Sequence, residues 1–311
     1  MSQGVLPFQY EIESTASGQT SLGGLPLYLD LMERIGFREV VDGHLGVRQD
    51  SQGWTDHEIL SSLVLLNLAG GDCVEDLRVL ESDEGFRRIM DRVRHHGLSR
   101  RERRELGRRF RQERGRSVPS PSSVFRYLSA FHDASQDLFR CKGKAFIPAP
   151  NAYLRGFRGV CAALASFAQG QSPQPTATLD MDATLVETHK SEALYSYQSF
   201  KAYQPLNVWW AEQELVLHTD FRDGNVPAGY EQLRVLKEAL DQLPEGVEQV
   251  RLRSDTAGYQ HDLLRYCEME KNQRFGQIEF AIGCDVTREF KQAVLEVADE
   301  DWHPVYQEID G

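Results

Sequence analysis

Residues 178–184 read Thr-Leu-Asp-Met-Asp-Ala-Thr, an apolar, β-prone run that carries Asp182 near its end. A second such run, Val250-Arg-Leu-Arg-Ser-Asp255, also ends on an aspartate. The residues between the runs predict two strands, a Gly-Asn turn and a helix, an order that can place the runs side by side. Carboxylates at the tips of neighbouring strands are what a site for two divalent metal ions needs, so we predict that Asp182 and Asp255 form one.

The elements around these runs follow one order along the chain. Residues 176–182, 206–211 and 215–221 predict three strands, and a tight turn makes the last two an antiparallel hairpin. A helix, the strand 250–255, a helix, the strand 278–283 and a final helix come next. Three strands followed by alternating helices and strands is the ribonuclease-H-like order, which has a mixed sheet.

We predict an α+β chain with four regions. These are a flexible arm at 1–20, a helical, arginine-rich region at 21–139, a connector with one small helix at 140–175 and the sheet domain at 176–311. In the helical region, Thr55-Asp-His-Glu58 is a capping box ahead of an apolar run, and residues 55–81 permit a helix-turn-helix. Residues 25–37 predict one amphipathic helix, and Ser122 is the expected cap of another. At the other end of the chain, residues 302–307 look extended.

Charge is distributed unevenly along the chain. The net charge is −12, yet residues 87–116 hold thirteen arginines, no lysine and only four acids. An arginine cluster inside an acidic chain is typical of a surface that binds a polyanion. A solvated helix face with local salt bridges is the structural alternative.

Composition excludes several classes of protein. No apolar run approaches the ~18 to 20 residues of a membrane span. The first twenty residues lack the charged-then-apolar pattern of a signal peptide. The five cysteines are scattered without a CxxC pair, so we expect reduced thiols in a cytoplasmic protein, with no disulfide and no zinc site.

The acid pair suits Mg²⁺ or Mn²⁺, because these ions prefer hard oxygen ligands and Mg²⁺ keeps several waters. Two such ions about 3.5 to 4 Å apart support phosphodiester cleavage and strand joining. Asp182 would bridge both ions and Asp255 would hold one. Asp180 shares the strand face of Asp182, since side chains repeat every two residues, and is a candidate auxiliary ligand. A turn or cap role is the structural alternative for each aspartate.

Several segments resemble motifs of bacterial insertion-sequence DDE transposases, above all the family numbered thirteen-eighty. Residues 179–189 are similar to its first-aspartate motif and 250–259 to the second-aspartate motif "RaDSgfy". Residues 200–206 resemble the "GYHPL" segment, with alanine where glycine is usual, and 221–225 resemble the R-x-G-N turn. Residues 119–128 are similar to an N-terminal "S-x-x-T-x-x-R" helix.

This resemblance implies a DNA transposase in which Asp182 and Asp255 are the first two acids of the DDE triad. The implied partners are terminal inverted repeats and target DNA, with no membrane, and synapsis of two DNA ends implies a homodimer. The residues that we expect to contact DNA are Arg100, Arg101, Arg103, Arg104, Arg108, Arg109, Arg126, Lys201 and Arg222.

We find no third acid of the triad. By the resemblance it is a glutamate in a Tyr-x-x-Arg-x-x-x-Glu helix that follows a β-rich insertion, and the sequence contains no such pattern. Glu289, Glu296 and Glu300 follow the last predicted strand, and we interpret them as ordinary helix-surface acids. We therefore expect a truncated copy whose ribonuclease-H-like domain is incomplete and whose activity is low.

Two other functions compete with this prediction. Residues 180–184 fit the D-x-D-x-T motif of haloacid-dehalogenase-type phosphatases, in which Asp180 would attack phosphorus. That fold needs parallel strands joined by helical crossovers, and the predicted hairpin contradicts it. The second alternative is a fragment that binds DNA through its arginines and catalyses nothing.

Overall fold

The computed structural model describes residues 2–3, 9–10, 18–49, 52–110, 113, 115–141, 143–269 and 272–303. The chain divides into two compact units, which we call the helical unit (1–140 and 148–167) and the sheet unit (141–147 and 168–311). Most of the predicted arm lies outside the described residues. Within it, Ser2–Gln3 (β1) and Gln9–Tyr10 (β2) form a short antiparallel pair.

The helical unit has one apolar core, in which Val41, Leu65, Phe86 and Val124 are completely buried. Its described helices before the connector are α1 (Leu25–Arg34), α2 (Phe37–His44), α3 (Asp56–Leu68), α4 (Leu77–Ser82), α5 (Glu84–His95), α6 (Arg100–Arg109) and α7 (Pro121–Leu128). The small helix predicted in the connector is α8 (Ala152–Gln171), which is 20 residues long.

Local sequence explains where these helices begin and end. The helix expected at 25–37 is two helices, because Gly36 adopts the left-handed conformation (φ 66°) between α1 and α2. The predicted capping box at the start of α3 is confirmed. Helix α7 begins before its expected cap, Ser122. The cap is Ser120, because Pro121 is well suited to the first helical position.

The sheet unit follows the predicted order of strands and helices, with one short strand pair added. Its elements are β3 (Thr176–Ala183), β4 (Val186–Glu187), β5 (Ala202–Tyr203), β6 (Leu206–Trp210), β7 (Leu215–Asp220), α9 (Gln232–Leu240), β8 (Gln249–Ser254), α10 (His261–Glu268), β9 (Glu279–Ile282) and α11 (Arg288–Glu296). The extended segment expected at 302–307 lies mostly outside the described residues.

The main sheet has five strands in the order β7-β6-β3-β8-β9. Strand β6 is antiparallel to both β3 and β7, whereas β8 is parallel to both β3 and β9. The expectation of a mixed sheet is therefore confirmed. The antiparallel β6–β7 hairpin also contradicts the all-parallel core that a haloacid-dehalogenase-type phosphatase requires.

One face of this sheet forms the core of the unit. Ala177, Leu179 and Met181 of β3 are buried and alternate with polar residues, as expected for a strand with one covered face. Helix α9 packs against β6 and β7, and α10 packs against α9 and β9. The opposite face of β3 and β8 carries charged side chains, which form the candidate site. None of the described helices is long and apolar enough to cross a membrane.

Candidate active site

The carboxyl ends of β3 and β8 are adjacent and carry Asp182 and Asp255. These strands are parallel, with Asp180 opposite Arg253 and Met181 opposite Ser254. Asp182 and Asp255 each follow this last pair by one residue, and Asp255 lies directly after the end of β8. Both aspartates are exposed, and alternation places both on the polar face of the sheet. The two carboxylates therefore share one face and one edge of the sheet.

Each of these aspartates also makes a local hydrogen bond. Asp255 accepts the backbone N–H of Ala257 through Oδ1 at 3.0 Å and thereby begins a short 3₁₀ turn. Asp182 Oδ2 accepts the hydroxyl of Thr184 at 3.5 Å. Neither aspartate forms an ion pair within the described ranges. Asp255 thus caps this turn, and its carboxylate keeps lone pairs that can bind another ligand.

Asp180 is held by an arginine, and its role as an auxiliary metal ligand stays a prediction. Arg253 donates Nε to Oδ1 at 2.5 Å and Nη2 to Oδ2 at 2.6 Å. The fork of the guanidinium thus occupies both carboxylate oxygens. The hydrogen bond and charge of Asp180 raise the pKa of Arg253. The same contact occupies the carboxylate that a phosphatase would use as its nucleophile.

Residues next to Asp255 connect the ends of β3, β8 and β9 by hydrogen bonds. The Ser254 hydroxyl donates to the carbonyl of Met181 at 3.1 Å, and the N–H of Gly283 donates to the carbonyl of Ser254 at 3.1 Å. A Cβ on Gly258 would lie 2.6 Å from the side chain of Ser254. Only glycine fits there, so the serine and glycine of this segment have structural roles that our sequence analysis missed.

The segments 200–206 and 221–225 pack against each other at the same end of β3. The N–H of Gly224 donates to the carbonyl of Ala202 at 2.9 Å, and a Cβ on Gly224 would lie 2.5 Å from that oxygen. Leu206 lies opposite Ala183 in the β3–β6 register. This packing explains why glycine is needed at 224, and it brings both segments to the edge where Asp182 lies.

Two residues expected to contact DNA in these segments have protein partners. Arg222 is buried, with its side chain 0% exposed, and its Nε donates to Asp220 at 2.9 Å. This corrects the prediction of a phosphate contact, because a buried guanidinium cannot reach a polyanion. Lys201 is half-buried and donates Nζ to the carbonyls of Lys190 and Ser191 at 3.3 and 2.8 Å. Its contact with DNA stays a prediction.

Comparison with known proteins identifies the family. The sequence model described as "Transposase DDE domain group 1" matches residues 8–310. The chain belongs to the DDE transposase domain family. No curated protein matches this sequence. Among solved structures, "Drosophila P element transposase strand transfer complex" is similar at 15% identity and a TM-score of 0.26, over 70% of this chain and 46% of that one. This chain therefore spans less than half the length of that transposase.

In this DDE family member, most of the expected DNA contacts lie on α6. Arg100, Arg101, Arg103, Arg104 and Arg108 are exposed on that helix. Arg101 Nε pairs with Glu105 at 2.9 Å, and Arg103 Nε donates to the carbonyl of Leu98 at 3.1 Å. Such exposed contacts contribute little to stability and are exchanged easily. The helix therefore presents positive charge that a polyanion can bind.

Other arginines of the 87–116 run hold the helical unit together. Arg109 lies within 2.7 Å of both carboxylate oxygens of Glu58, and its contact with DNA stays a prediction. Arg94 donates to the carbonyls of Arg116 and Ser117. Its guanidinium lies 4.8 Å from the centre of the Trp54 ring. The salt-bridge interpretation is thus correct for part of the run, and the polyanion interpretation stays a prediction for the exposed arginines.

Arg126, on α7, stays a prediction as a DNA contact. The side chain is exposed, and it folds back on its own helix, donating to the carbonyl of Ser122 at 3.3 Å and to the hydroxyl of Ser123 at 3.1 Å. Both contacts are short-range and solvent-accessible, so little free energy opposes their exchange for a phosphate.

DDE transposases generally use divalent metal ions, and Asp182 and Asp255 fit that use in part. Both present hard oxygen donors on one face of the sheet, the ligand type that Mg²⁺ prefers. No group of three or more His, Cys, Asp or Glu side chains suited to a metal ion occurs among the described residues. Glu289, Glu296 and Glu300 are exposed on α11 and the 3₁₀ turn after it, in agreement with their interpretation as surface acids.

Proposed function

We propose that this DDE family member binds the terminal inverted repeats of an insertion sequence and carries out metal-dependent DNA strand cleavage and transfer. We also propose that it is closest to the insertion-sequence family numbered thirteen-eighty, and that it synapses two DNA ends as a homodimer. The observation that supports the proposal is the parallel register of β3 and β8, which ends with Met181 opposite Ser254, one residue before Asp182 and Asp255.

The sheet supplies the rigidity that such a site needs. A catalytic group must be held close to its working position, and side chains at the ends of paired strands are held better than side chains on long loops. Here the hydroxyl of Ser254 and the ion pair between Asp180 and Arg253 link the two strands directly beside the acids. The positive charge of Arg253 also offsets the negative charge of Asp180. The negative charges of Asp182 and Asp255 then remain to bind a cation, which in turn can bind a phosphate.

A divalent ion bound by Asp182 and Asp255 would activate the attacking oxygen and stabilise the leaving oxygen of the phosphodiester. The two carboxylates bind and orient, and their exposure leaves room for a DNA backbone. With two of the three triad acids identified, we expect strand cleavage by this chain to be slow.

Metal binding tests the acid pair without relying on activity. We expect Mn²⁺ to bind the full chain in isothermal titration calorimetry, and Asp182→Asn and Asp255→Asn each to weaken that binding at least tenfold. Asp241→Asn is the matched control, because Asp241 is exposed at the C-terminal end of α9, away from β3. Unchanged Mn²⁺ affinity in both strand-end variants would contradict the proposal.

Nicking of supercoiled plasmid DNA in Mn²⁺ tests the chemistry. We expect any nicking by the full chain to be lost in Asp182→Asn and kept in Asp180→Asn. The phosphatase alternative predicts the reverse order for hydrolysis of p-nitrophenyl phosphate. Loss of nicking in Asp180→Asn alone would therefore refute our assignment of roles.

We further propose that α6 contacts DNA phosphates. The variant Arg103→Gln/Arg104→Gln should weaken binding to duplex DNA and reduce the slope of log affinity against log salt concentration by about two, because each lost phosphate contact removes about 0.9 from that slope. Arg34→Gln/Arg38→Gln removes two exposed arginines elsewhere in the helical unit and is the control. Equal slopes for both variants would remove the DNA-binding role of α6. Salt-sensitive binding that persists when Asp182 and Asp255 are both replaced, in a chain without nicking, would favour the non-catalytic alternative.

A further inference from the structure

Three large aromatic side chains of the sheet unit are strongly exposed. Tyr195 is 65% exposed, Tyr197 is 75% exposed and Phe221 is 61% exposed. A single exposed aromatic residue is ordinary, but a group of them marks a binding surface. Neither the acid pair nor the arginines of α6 explain why these rings are exposed.

Backbone pairing brings these residues together. Tyr195 forms an antiparallel bridge with Lys201, and β5 places Tyr203 opposite Val186 of β4. Because side chains alternate along a strand, Lys201 and Tyr203 share one face, and Ala202 between them is buried. The ring of Phe221 lies 4.8 Å from that of Tyr203. We call Tyr195, Lys201, Tyr203 and Phe221 the aromatic surface; Tyr197 lies near it, in the turn between the bridged residues.

The aromatic surface lies at the edge of the sheet where the acid pair lies. Strand β3 ends at Ala183, opposite Leu206, and the N–H of Thr184 donates to the carbonyl of Pro205 at 3.1 Å. Leu206 is also opposite Asp220, the residue before Phe221. The chain therefore meets the aromatic surface within a few residues after Asp182, where β4 pairs with β5.

We propose that the aromatic surface binds unpaired DNA bases next to the phosphate held at Asp182 and Asp255, an inference that rests on the proposed function. The face of any base stacks on an aromatic ring, and this contact is tolerant of base sequence. In a duplex those faces are covered by neighbouring base pairs, so exposed rings can stack only on bases that have left the helix. The ammonium of Lys201, within the surface, attracts the phosphates of that strand.

Single-stranded DNA with and without bases tests this proposal. The probes are a fluorescein-labelled 20-nucleotide thymine strand, a strand of the same length made of abasic sites, and a 20-base-pair duplex, each measured by fluorescence anisotropy with the full chain. We expect Tyr195→Ala/Phe221→Ala to bind the thymine strand about 100-fold more weakly, since each lost stack costs about tenfold. Binding to the abasic strand and to the duplex should change less than twofold.

Two sets of controls separate stacking from folding. Tyr195→Phe/Phe221→Tyr keeps both rings and should bind the thymine strand like the unaltered chain. Tyr28→Ala/Phe290→Ala removes two aromatic residues of 42% and 45% exposure elsewhere and should also leave that binding unchanged. Equal binding of the thymine strand by the unaltered chain and Tyr195→Ala/Phe221→Ala overturns the inference.

Other outcomes distinguish failure of the inference from failure of the proposed function. If duplex binding is intact and the double alanine variant changes only the oligomeric state in light scattering, the surface is a protein interface. The inference then falls while the proposed function stands. If the unaltered chain binds neither the thymine strand nor the duplex, the proposed function itself fails.

Discussion

Replacing Asp220 by alanine should destabilise the sheet unit more than replacing its partner Arg222 by methionine. The carboxylate of Asp220 is almost completely buried and accepts Nε of Arg222 at 2.9 Å and Nη2 of Arg234 at 2.8 Å. Nη1 and Nη2 of Arg222 make no hydrogen bond within the described part of the chain, so Asp220 is the acid that its guanidinium contacts directly there. Burial lowers the pKa of Arg222 below its ordinary value, and the bond to Asp220 opposes that shift.

The expected magnitudes follow from what each change leaves behind. Asp220→Ala leaves a buried guanidinium without a counter-charge, which costs about 3 to 5 kcal/mol in the free energy of unfolding. Arg222→Met leaves Asp220 paired with Arg234, so it loses one charged hydrogen bond, about 1.5 to 3 kcal/mol, and gains an apolar side chain in a buried site. The double variant should therefore be more stable than Asp220→Ala alone.

Thermal and urea unfolding of the full chain measure these differences. For a domain of this size 1 kcal/mol shifts Tm by about 2 to 4 °C, so Asp220→Ala should lower Tm by about 6 to 20 °C. Asp241→Ala, an exposed acid on the same unit, is the control and should change Tm by less than about 2 °C. A larger loss for Arg222→Met than for Asp220→Ala would refute the reasoning. Unchanged Tm with weaker DNA binding in Arg222→Met would restore the phosphate contact predicted from sequence.

Three further predictions concern other parts of the structure. Burial raises the pKa of Glu58, but its arginine partner and cap hydrogen bond outweigh burial, so the net pKa lies below 4.5. The stabilisation is therefore present above pH 4.5 and should be lost as the pH falls. Glu58→Gln should flatten this loss of stability at acid pH, as measured by urea unfolding. Gly224→Ala should cost about 1 to 3 kcal/mol by urea unfolding, because its Cβ would lie 2.5 Å from the carbonyl of Ala202. Burial raises the pKa of Cys267 to about 11, so iodoacetamide at pH 8 should label the exposed Cys141 well before it, as mass spectrometry would show.

Much of the sheet could be predicted because its elements are defined locally. Strand alternation at 176–182, the hairpin turn before Leu215 and the capped helices each depend on residues a few positions apart. The errors in the helical unit are also local. Gly36 inside an amphipathic pattern marks the break between α1 and α2, and Pro121 after Ser120 marks the start of α7. Both boundaries therefore follow from cap and turn rules that involve only neighbouring residues.

The roles of individual arginines could not be predicted in the same way. Composition gives the number of positive charges in the 87–116 run, but the partner that buries Arg109 is Glu58, 51 residues earlier in the chain. Arg94 is likewise held by backbone carbonyls 22 and 23 residues away. The packing of α3, α5 and the segment after α6 decides which arginines remain exposed. This packing cannot be read from the sequence of residues 87–116 alone.

The prediction that Asp182 and Asp255 lie together rests, in contrast, on two spacings of equal length. Asp180 precedes Asp182 by two residues, and Arg253 precedes Asp255 by two. In a parallel pair of strands, any register that sets Asp180 opposite Arg253 must also set the two strand-end acids opposite each other, on the same face. The alternation of buried apolar residues along both strands favours this register, and the ion pair between Asp180 and Arg253 is compatible with it. The Asp-x-Asp and Arg-x-Asp spacings therefore predict the acid pair together, although neither does so by itself.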